Sequence, residues 1–331
     1  MDGVLIIDKP EGPTSHDIVA WARRTLNERR VGHTGTLDPA ASGVLPLVIG
    51  KATRLARFLT AGDKSYDAVI RLGFSTDTGD AQGAPIGAVY AGALPARDAI
   101  DAALDPFRGS FLQQPPVYSA KKIDGRRSYR LARAAARSRQ HEAPGTSSAP
   151  STEHPAPSTL RPALVTVSAL TLVSLEGDRV TVSVECSAGF YVRSLAHDLG
   201  ERLGTGGHLA ALRRTRSGDY SLSEAAPLAS IEQRLHDRQA PGDRAAPLAG
   251  FVPLAAMLSR LSSVVLTEDG AKHARHGRPL GPADLASAAP LPHADEWIRM
   301  LTAAGELVGL ARPLSLMSGG ASLLHPSVVL R

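Results

Sequence analysis

The sequence predicts an α+β fold with a small β-rich unit at its C-terminal end. Three observations carry that reading. Apolar residues alternate between a period of two and a period near 3.6 through the first 235 residues. The chain has 331 residues, enough for two domains, or a large one and a small one. Beyond about residue 260 the apolar runs are short and β-like.

Each element has a local reason. Thr14-x-x-Asp17 has the form of a capping box, and Ile18, Ala22 and Leu26 follow as a helical stripe. Between Asp67 and Leu72, Ala68, Ile70 and Leu72 fall on one strand face. Val180, Val182, Val184 and Cys186 alternate over a second strand. Val192, Leu195, Ala196, Leu199 and Leu203 then repeat at helical spacing until Gly204 stops them. The tail runs are Ser263–Leu266, Glu306–Leu310 and Ser327–Leu330. Residues 138–159 hold no Val, Ile, Leu, Met, Phe, Trp or Tyr, so they cannot offset their ordering entropy by burial. A disordered insertion is expected over 138–160. A Pro/Ala/Gly/Asp stretch near 237–250 reads as a linker. The division expected is 1–258 and 259–331.

Composition excludes several classes. Hydrophobic residues are 43% and charged residues 21%, which is ordinary for a globular chain. The single cysteine, Cys186, rules out a disulfide framework and any multi-cysteine metal site, and it fits a reducing compartment. No apolar run approaches a membrane span. Asp2 stands where a signal peptide carries basic residues, so a cytoplasmic protein is expected.

Lys plus Arg is 37 and Asp plus Glu is 32, a net charge of +5. The excess is clustered. Lys121, Lys122, Arg126, Arg127, Arg130, Arg133, Arg137 and Arg139 face one acid, Asp124. Smaller groups are Arg23, Arg24, Arg29 and Arg30, and Arg213, Arg214 and Arg216. Any one cluster is as readily a solvated face, but three together favour a phosphate-backbone partner.

Generic motifs fail. Ser119-x-x-Lys122 lacks its companion S-D-N and K-T-G. Gly204-x-Gly206 follows a helix and meets Leu209 where a dinucleotide fold needs glycine. His273-x-x-His276 has no third ligand nearby. Neither a nucleotide-cofactor nor a metal motif is present.

The loop Gly32-His33-Thr34-Gly35-Thr36-Leu37-Asp38-Pro39 places a carboxylate beside an imidazole. Taken alone it reads as a turn initiated by Asp38. The wider pattern changes that. Gly3-Val4-Leu5-Ile6-Ile7-Asp8-Lys9-Pro10-x-Gly12-x-Thr14-Ser15 precedes the loop, and Ala41-Ser42-Gly43-Val44-Leu45-Pro46 and Gly50-Lys51-Ala52-Thr53 follow it. Further blocks are Lys64-Ser65-Tyr66, Arg71-Leu72-Gly73, Thr76-Asp77-Thr78-x-Asp80-x-x-Gly83 and Gln114-Pro115-Pro116-Val117-Tyr118-Ser119-Ala120-Lys121-Lys122. The series ends with Cys186-Ser187-Ala188-Gly189-Phe190-Tyr191-Val192-Arg193-Ser194-Leu195, Asp198-Leu199-Gly200 and His208-Leu209-x-x-Leu212-Arg213-Arg214-Thr215-x-Ser217-Gly218. In this order, over most of residues 3–235, the chain resembles the TruB family of tRNA pseudouridine synthases.

The resemblance implies a mixed, largely antiparallel sheet flanked by helices, plus a small PUA-like RNA-binding domain. It implies isomerisation of uridine 55 in the T-loop of tRNA, with the base flipped out and no cofactor or metal. Asp38 matches the catalytic aspartate, Arg193 its arginine partner and Tyr66 the active-site tyrosine. Tyr191 and Leu212 match residues lining the base, and His33 one that stacks on RNA. Each type suits its role. Glycosidic chemistry commonly recruits a carboxylate, and a lone buried carboxylate drifts to its neutral form without a cation. An aromatic face stacks on a base. Phosphate contacts by Lys121, Lys122, Arg126, Arg127 and Arg130 would help offset base extrusion.

The chain departs from the family after Leu131-Ala132-Arg133, where Ala134-Ala135-Ala136-Arg137 replaces the usual glycine and short basic link. Gly277-Arg278-Pro279-Leu280 carries the weaker likeness of the tail. A monomer needing no protein partner is expected. Two other readings stay open: an RNA-binding protein without turnover, and a guide-RNA-dependent synthase that needs partner proteins.

Overall fold

The computed structural model describes residues 1–116, 122–123, 126–127, 161–237, 248–286, 296–314 and 323–330. One large sheet organises the chain. Its main strands are β1 (Gly3–Lys9), β2 (Ala41–Ile49), β3 (Lys64–Leu72), β4 (Gly109–Gln113), β5 (Ala163–Glu176), β6 (Arg179–Cys186) and β7 (Gly207–Ser217). From the short strand Ala226–Pro227 inward, the order is β1, β2, β7, β3, β6, β5, β4. Ala226–Pro227 runs parallel to β1 and β7 runs parallel to β2; the other neighbours are antiparallel. Among the described residues the longer helices are α1 (Ser15–Thr25), α2 (Arg97–Leu104), α3 (Val192–Arg202), α4 (Leu228–Asp237) and α5 (Glu268–Arg275). The arrangement is α+β, a mixed and largely antiparallel sheet with helices, as expected.

β1 stands between two of the three core clusters. Val4, Leu5, Ile6 and Ile7 are all buried. Leu5 and Ile7 enter the cluster containing Ile18, Ile70 and Leu199. Val4 and Ile6 point the other way, into a cluster with Val48, Met257, Leu310 and Val328. A strand covered on both faces reads as a continuous apolar run, without alternation. Further out, β5 is covered on one face only. Val165 and Val167 are buried while Leu164 is 70% exposed.

The local readings hold in detail. Asp17 N–H donates to Thr14 Oγ1 at 3.1 Å, and Thr14 N–H donates to Asp17 Oδ2 at 2.8 Å. Val192, Leu195, Ala196 and Leu199 bury one stripe of α3, and Gly204 adopts φ +68 after it. The tail forms its own sheet in the order β8 (Ser263–Val265), β9 (Ile298–Leu301), β10 (Leu307–Leu314) and β11 (Leu323–Val329). The linker reading needs correction at its end. Leu248 is buried, and the Gly250 carbonyl accepts a hydrogen bond from Ile6 N–H at 2.8 Å. The insertion expected over 138–160 lies outside the described residues.

Gly200 shows how tightly α3 meets the sheet. A Cβ there would fall 2.1 Å from the Gly207 nitrogen. Helix propensity favours alanine over glycine by about 1 kcal/mol, but overpacking a close contact costs about 1–3 kcal/mol. Gly200→Ala is therefore expected to lower the urea midpoint. A higher midpoint would show that helix and strand separate freely.

Candidate active site

The Asp38 loop lies between the short strand Val31–His33 and β2. Irregular backbone inside a fold needs partners for its polar groups, and here buried side chains supply many of them. Ser15 Oγ donates to the Leu37 carbonyl at 3.0 Å and accepts from Leu37 N–H at 2.8 Å. Lys9 Nζ donates to the carbonyls of Ala41 at 2.6 Å and Pro39 at 3.3 Å. Arg214 Nη2 donates to the Gly35 carbonyl at 3.1 Å, and Nη1 reaches that of Thr36 at 3.5 Å. Gly12 N–H closes the set on the Pro39 carbonyl at 2.9 Å.

Arg193 enters from the first turn of α3. Its Nε lies 2.9 Å from Asp38 Oδ2, and its Nη1 donates to the Thr78 carbonyl at 3.0 Å. The side chains differ in exposure, 7% for Arg193 and 39% for Asp38. The buried partner is the arginine; the aspartate stays open to solvent and to a substrate.

Strand register supplies the rest of the wall. Tyr66 on β3 stands opposite Arg214 on β7 and Val184 on β6. Leu212 stands opposite Ala68. Burial pushes the Tyr66 hydroxyl up, and the charge and hydrogen bonding of Arg214 draw it back. Tyr191 is pinned by its main chain. Its N–H donates to Gln113 Oε1 at 2.8 Å, and its carbonyl accepts from Gln113 Nε2 at 3.0 Å. Asp38, Tyr66, Tyr191, Arg193, Leu212 and Arg214 thus line one cavity of about 240 Å³.

The structure therefore brings together the five residues that the resemblance assigns to catalysis and base binding, with Arg214 from a basic cluster. His33 is not among the residues lining the cavity. Its ring stands edge-on to His16 at 5.4 Å, and its Nδ1 accepts from Gly35 N–H at 3.3 Å. Lys122–Ile123 and Arg126–Arg127 pair as two short antiparallel strands. Lys121 and Arg130, and the side chains of Lys122, Arg126 and Arg127, lie outside the described residues.

One basic cluster is not what its charge suggests. Arg214 is 1% exposed, Arg213 pairs with Asp8 at 2.9 Å and Arg216 lies 3.7 Å from Glu185. Only Arg214 is enclosed by the fold; Arg213 and Arg216 are partly exposed and each stands beside an acid. Sequence reasoning also passed over Lys9, Ser15, Lys64 and Gln113, all buried. Burial lowers the Lys9 amine to about 8, against the attraction of Asp38. Burial also lowers Lys64, with Arg214 adding to the effect. The Cys186 thiol is pushed up to about 12 by burial, so it offers no thiolate nucleophile. His273 Nδ1 lies 2.8 Å from Asp284, and His276 Nδ1 meets the Lys272 carbonyl at 2.8 Å.

A half-exposed carboxylate, an arginine beside it and an aromatic wall suit glycosidic chemistry on a planar base. Known proteins agree. Residues 23–146 match the description "TruB family pseudouridylate synthase (N terminal domain)", and residues 193–265 match "tRNA pseudouridylate synthase B C-terminal domain". A protein of Solibacter usitatus named tRNA pseudouridine synthase B is 40% identical over 330 residues, covering 100% of both chains. One of the same name from Aromatoleum aromaticum is 44% identical, over 70% of this chain and 68% of its own. Among solved structures, a Cbf5-Nop10-Gar1 complex aligns with TM-score 0.69 and 27% identity, over 98% of this chain and 84% of that one. An H/ACA RNP bound to a substrate RNA containing 2′-deoxyuridine shares the fold, with TM-score 0.72 and 24% identity over 99% and 85% of the chains. The chain belongs to the TruB family of pseudouridine synthases. It is an isomerase.

Lys9 gives a testable pH dependence. Its folded value, about 8, lies below the ordinary 10.5. Between the two the unfolded chain holds the proton more tightly, so stability rises with pH. The contribution is complete above 10.5 and lost as pH falls through 8. Wild type should therefore gain on Lys9→Met in urea midpoint between pH 7.5 and 10. A difference independent of pH would refute the burial of a charged amine.

Proposed function

We propose that the chain converts uridine 55 in the T-loop of tRNA to pseudouridine. The observation that carries the reading is the 2.9 Å Asp38–Arg193 pair at a cavity walled by Tyr66, Tyr191 and Leu212. The names of the relatives supply the substrate class. The N1–C1′ bond breaks, the detached uracil turns, and C5 bonds to C1′. The C5 proton leaves to solvent and N1 takes one up, so atoms balance without a redox partner.

Asp38 acts as the nucleophile, and the bond its carboxylate forms to the nucleoside breaks again before the product leaves. Arg193 keeps its carboxylate charged and oriented. The face of Tyr66 stacks on the base, worth about 1–3 kcal/mol, and its hydroxyl relays a proton. Tyr191 and Leu212 line the base. His33, beside the cavity, stacks on the RNA outside it. Lys121, Lys122, Arg126, Arg127 and Arg130 contact the backbone and help offset the few kcal/mol of base extrusion. Residues 1–258 form the catalytic domain and 259–331 a PUA-like RNA-binding domain. Among the described residues no helix is long and apolar enough to cross a membrane. The enzyme works in the cytoplasm as a monomer, without cofactor, metal or obligatory protein partner. The Cbf5 likeness, at 27% identity, keeps a partner-dependent synthase as the second reading.

The test is tritium release from tRNA labelled at uridine C5, using purified chain and its Asp38→Asn variant. Release by wild type alone supports the isomerisation and the nucleophile. Release only on adding partner proteins favours the second reading. Full release by Asp38→Asn overturns the site.

A second prediction concerns Arg193→Ala. Turnover should fall by about 100-fold, the scale of a misplaced reacting group, with tRNA affinity nearly intact. Equal losses of turnover and affinity would remove Arg193 as the partner of Asp38.

A further inference from the structure

Arg214 heads the largest fully buried side chains of the described residues. β7 carries it opposite Tyr66 on one side and opposite Gly43 on the other. Its Nε donates to the Val44 carbonyl at 2.7 Å, beside the contacts to Gly35 and Thr36. These three acceptors are main chain, and the Tyr66 side chain is a further hydrogen-bond partner. Among the described residues no carboxylate lies within ion-pair distance of it. Burying a cation without an anion is costly, and such a group persists where the fold has a use for it.

The surroundings say what that use is. Gly35 and Thr36 lead directly into Leu37 and Asp38. The ionisable groups that bear on the guanidinium are Tyr66, Lys64 and Lys9. Neither lysine can take its place. Lys9 holds Pro39 and Ala41, and Lys64 holds the carbonyls of Thr60 and Gly62. Gly43 lets the two strands approach. It adopts φ +102, and a Cβ there would fall 2.2 Å from the Arg214 carbonyl oxygen.

We propose that Arg214 is a positioning residue for the isomerisation. Its fork fixes the Gly35–Thr36 main chain, and so Asp38, relative to the Tyr66 hydroxyl that its charge faces. The role depends on a planar fork that spans strand and loop at once. A lysine keeps the charge but lacks the planar fork that holds Val44 and the Gly35–Thr36 loop together. The proposal rests on the reading of Asp38 and Tyr66 as groups that meet the base.

The experiment compares wild type, Arg214→Lys, Tyr66→Phe, the double variant and Asp38→Asn. It measures the single-turnover rate of pseudouridine formation, tRNA affinity by filter binding, and folding by circular dichroism. Arg214→Lys is expected to fold and bind tRNA, with its rate down by about 100-fold. Its loss and that of Tyr66→Phe should be less than multiplicative in the double variant, because the two share one contact. A wild-type rate in Arg214→Lys, affinity falling in step with rate, or strictly multiplicative losses would each overturn the proposal. Turnover retained by Asp38→Asn would instead sink the site reading beneath it. A second measurement leaves the arginine in place. In the wild-type chain labelled with ¹⁵N-arginine, Arg214 Nε–H should exchange slowly with solvent. Exchange as fast as that of an exposed arginine would also overturn the role.

Discussion

The site depends on an ion pair of unequal burial. Arg193 is enclosed between α3, the Thr78 turn and the Asp38 loop, while Asp38 opens to the cavity. A buried guanidinium is costly unless carbonyls or an anion compensate its charge, and at Arg193 the Thr78 carbonyl and the Asp38 carboxylate do so. The anionic share falls on one carboxylate oxygen and fixes where the loop must run. The carboxylate remains partly hydrated, so the pair adds little net stability. What it supplies is orientation: Oδ2 is held by Arg193.

Holding the loop then becomes a problem of main-chain accounting. Gly32–Pro39 is mostly irregular, with only its first residues in a strand, so it cannot rely on a ladder for its carbonyls. Lys9, Ser15 and Arg214 reach it from β1, α1 and β7, three elements of one folded body. Two of those groups are buried cations whose affinity for protons the fold lowers. The strain is electrostatic and lies next to the carboxylate. Lys9 and Arg214 therefore bear on the site through position as well as charge.

How much of this could be read in the sequence depends on what each signal measures. α1 was legible because its capping box is local, β6 because it buries a single face, and α3 because its apolar residues repeat at helical spacing although its first turn is buried all round. β1 gives no alternation, since both of its faces are covered. Arg213, Arg214 and Arg216 look alike in a charge count. The period of two separates Arg214, on the face of Leu212, from Arg213, which points to Asp8, and a register shift after Arg214 sets Arg216 apart. Asp38, Tyr66 and Arg193 were found through resemblance. No periodicity links them, because their meeting depends on the order β2, β7, β3, β6, which runs out of sequence.

That order also decides what must move. Tyr66 and Leu212 sit on central strands, and the main chain at Tyr191 is pinned on both its donor and its acceptor by Gln113. Arg214 ties the opposite wall to the loop. Walls fixed by main-chain hydrogen bonds do not rearrange cheaply. In the proposed reaction the cavity is therefore ready before the base arrives, and the RNA undergoes the larger change. Preorganisation of this kind serves the chemistry because charged groups already stand where the glycosidic bond will break. Binding must then come from contacts outside the cavity, since a base-sized hollow alone cannot offset unstacking. Weakening those outer contacts should act on affinity, and disturbing Arg193 or Arg214 on the rate.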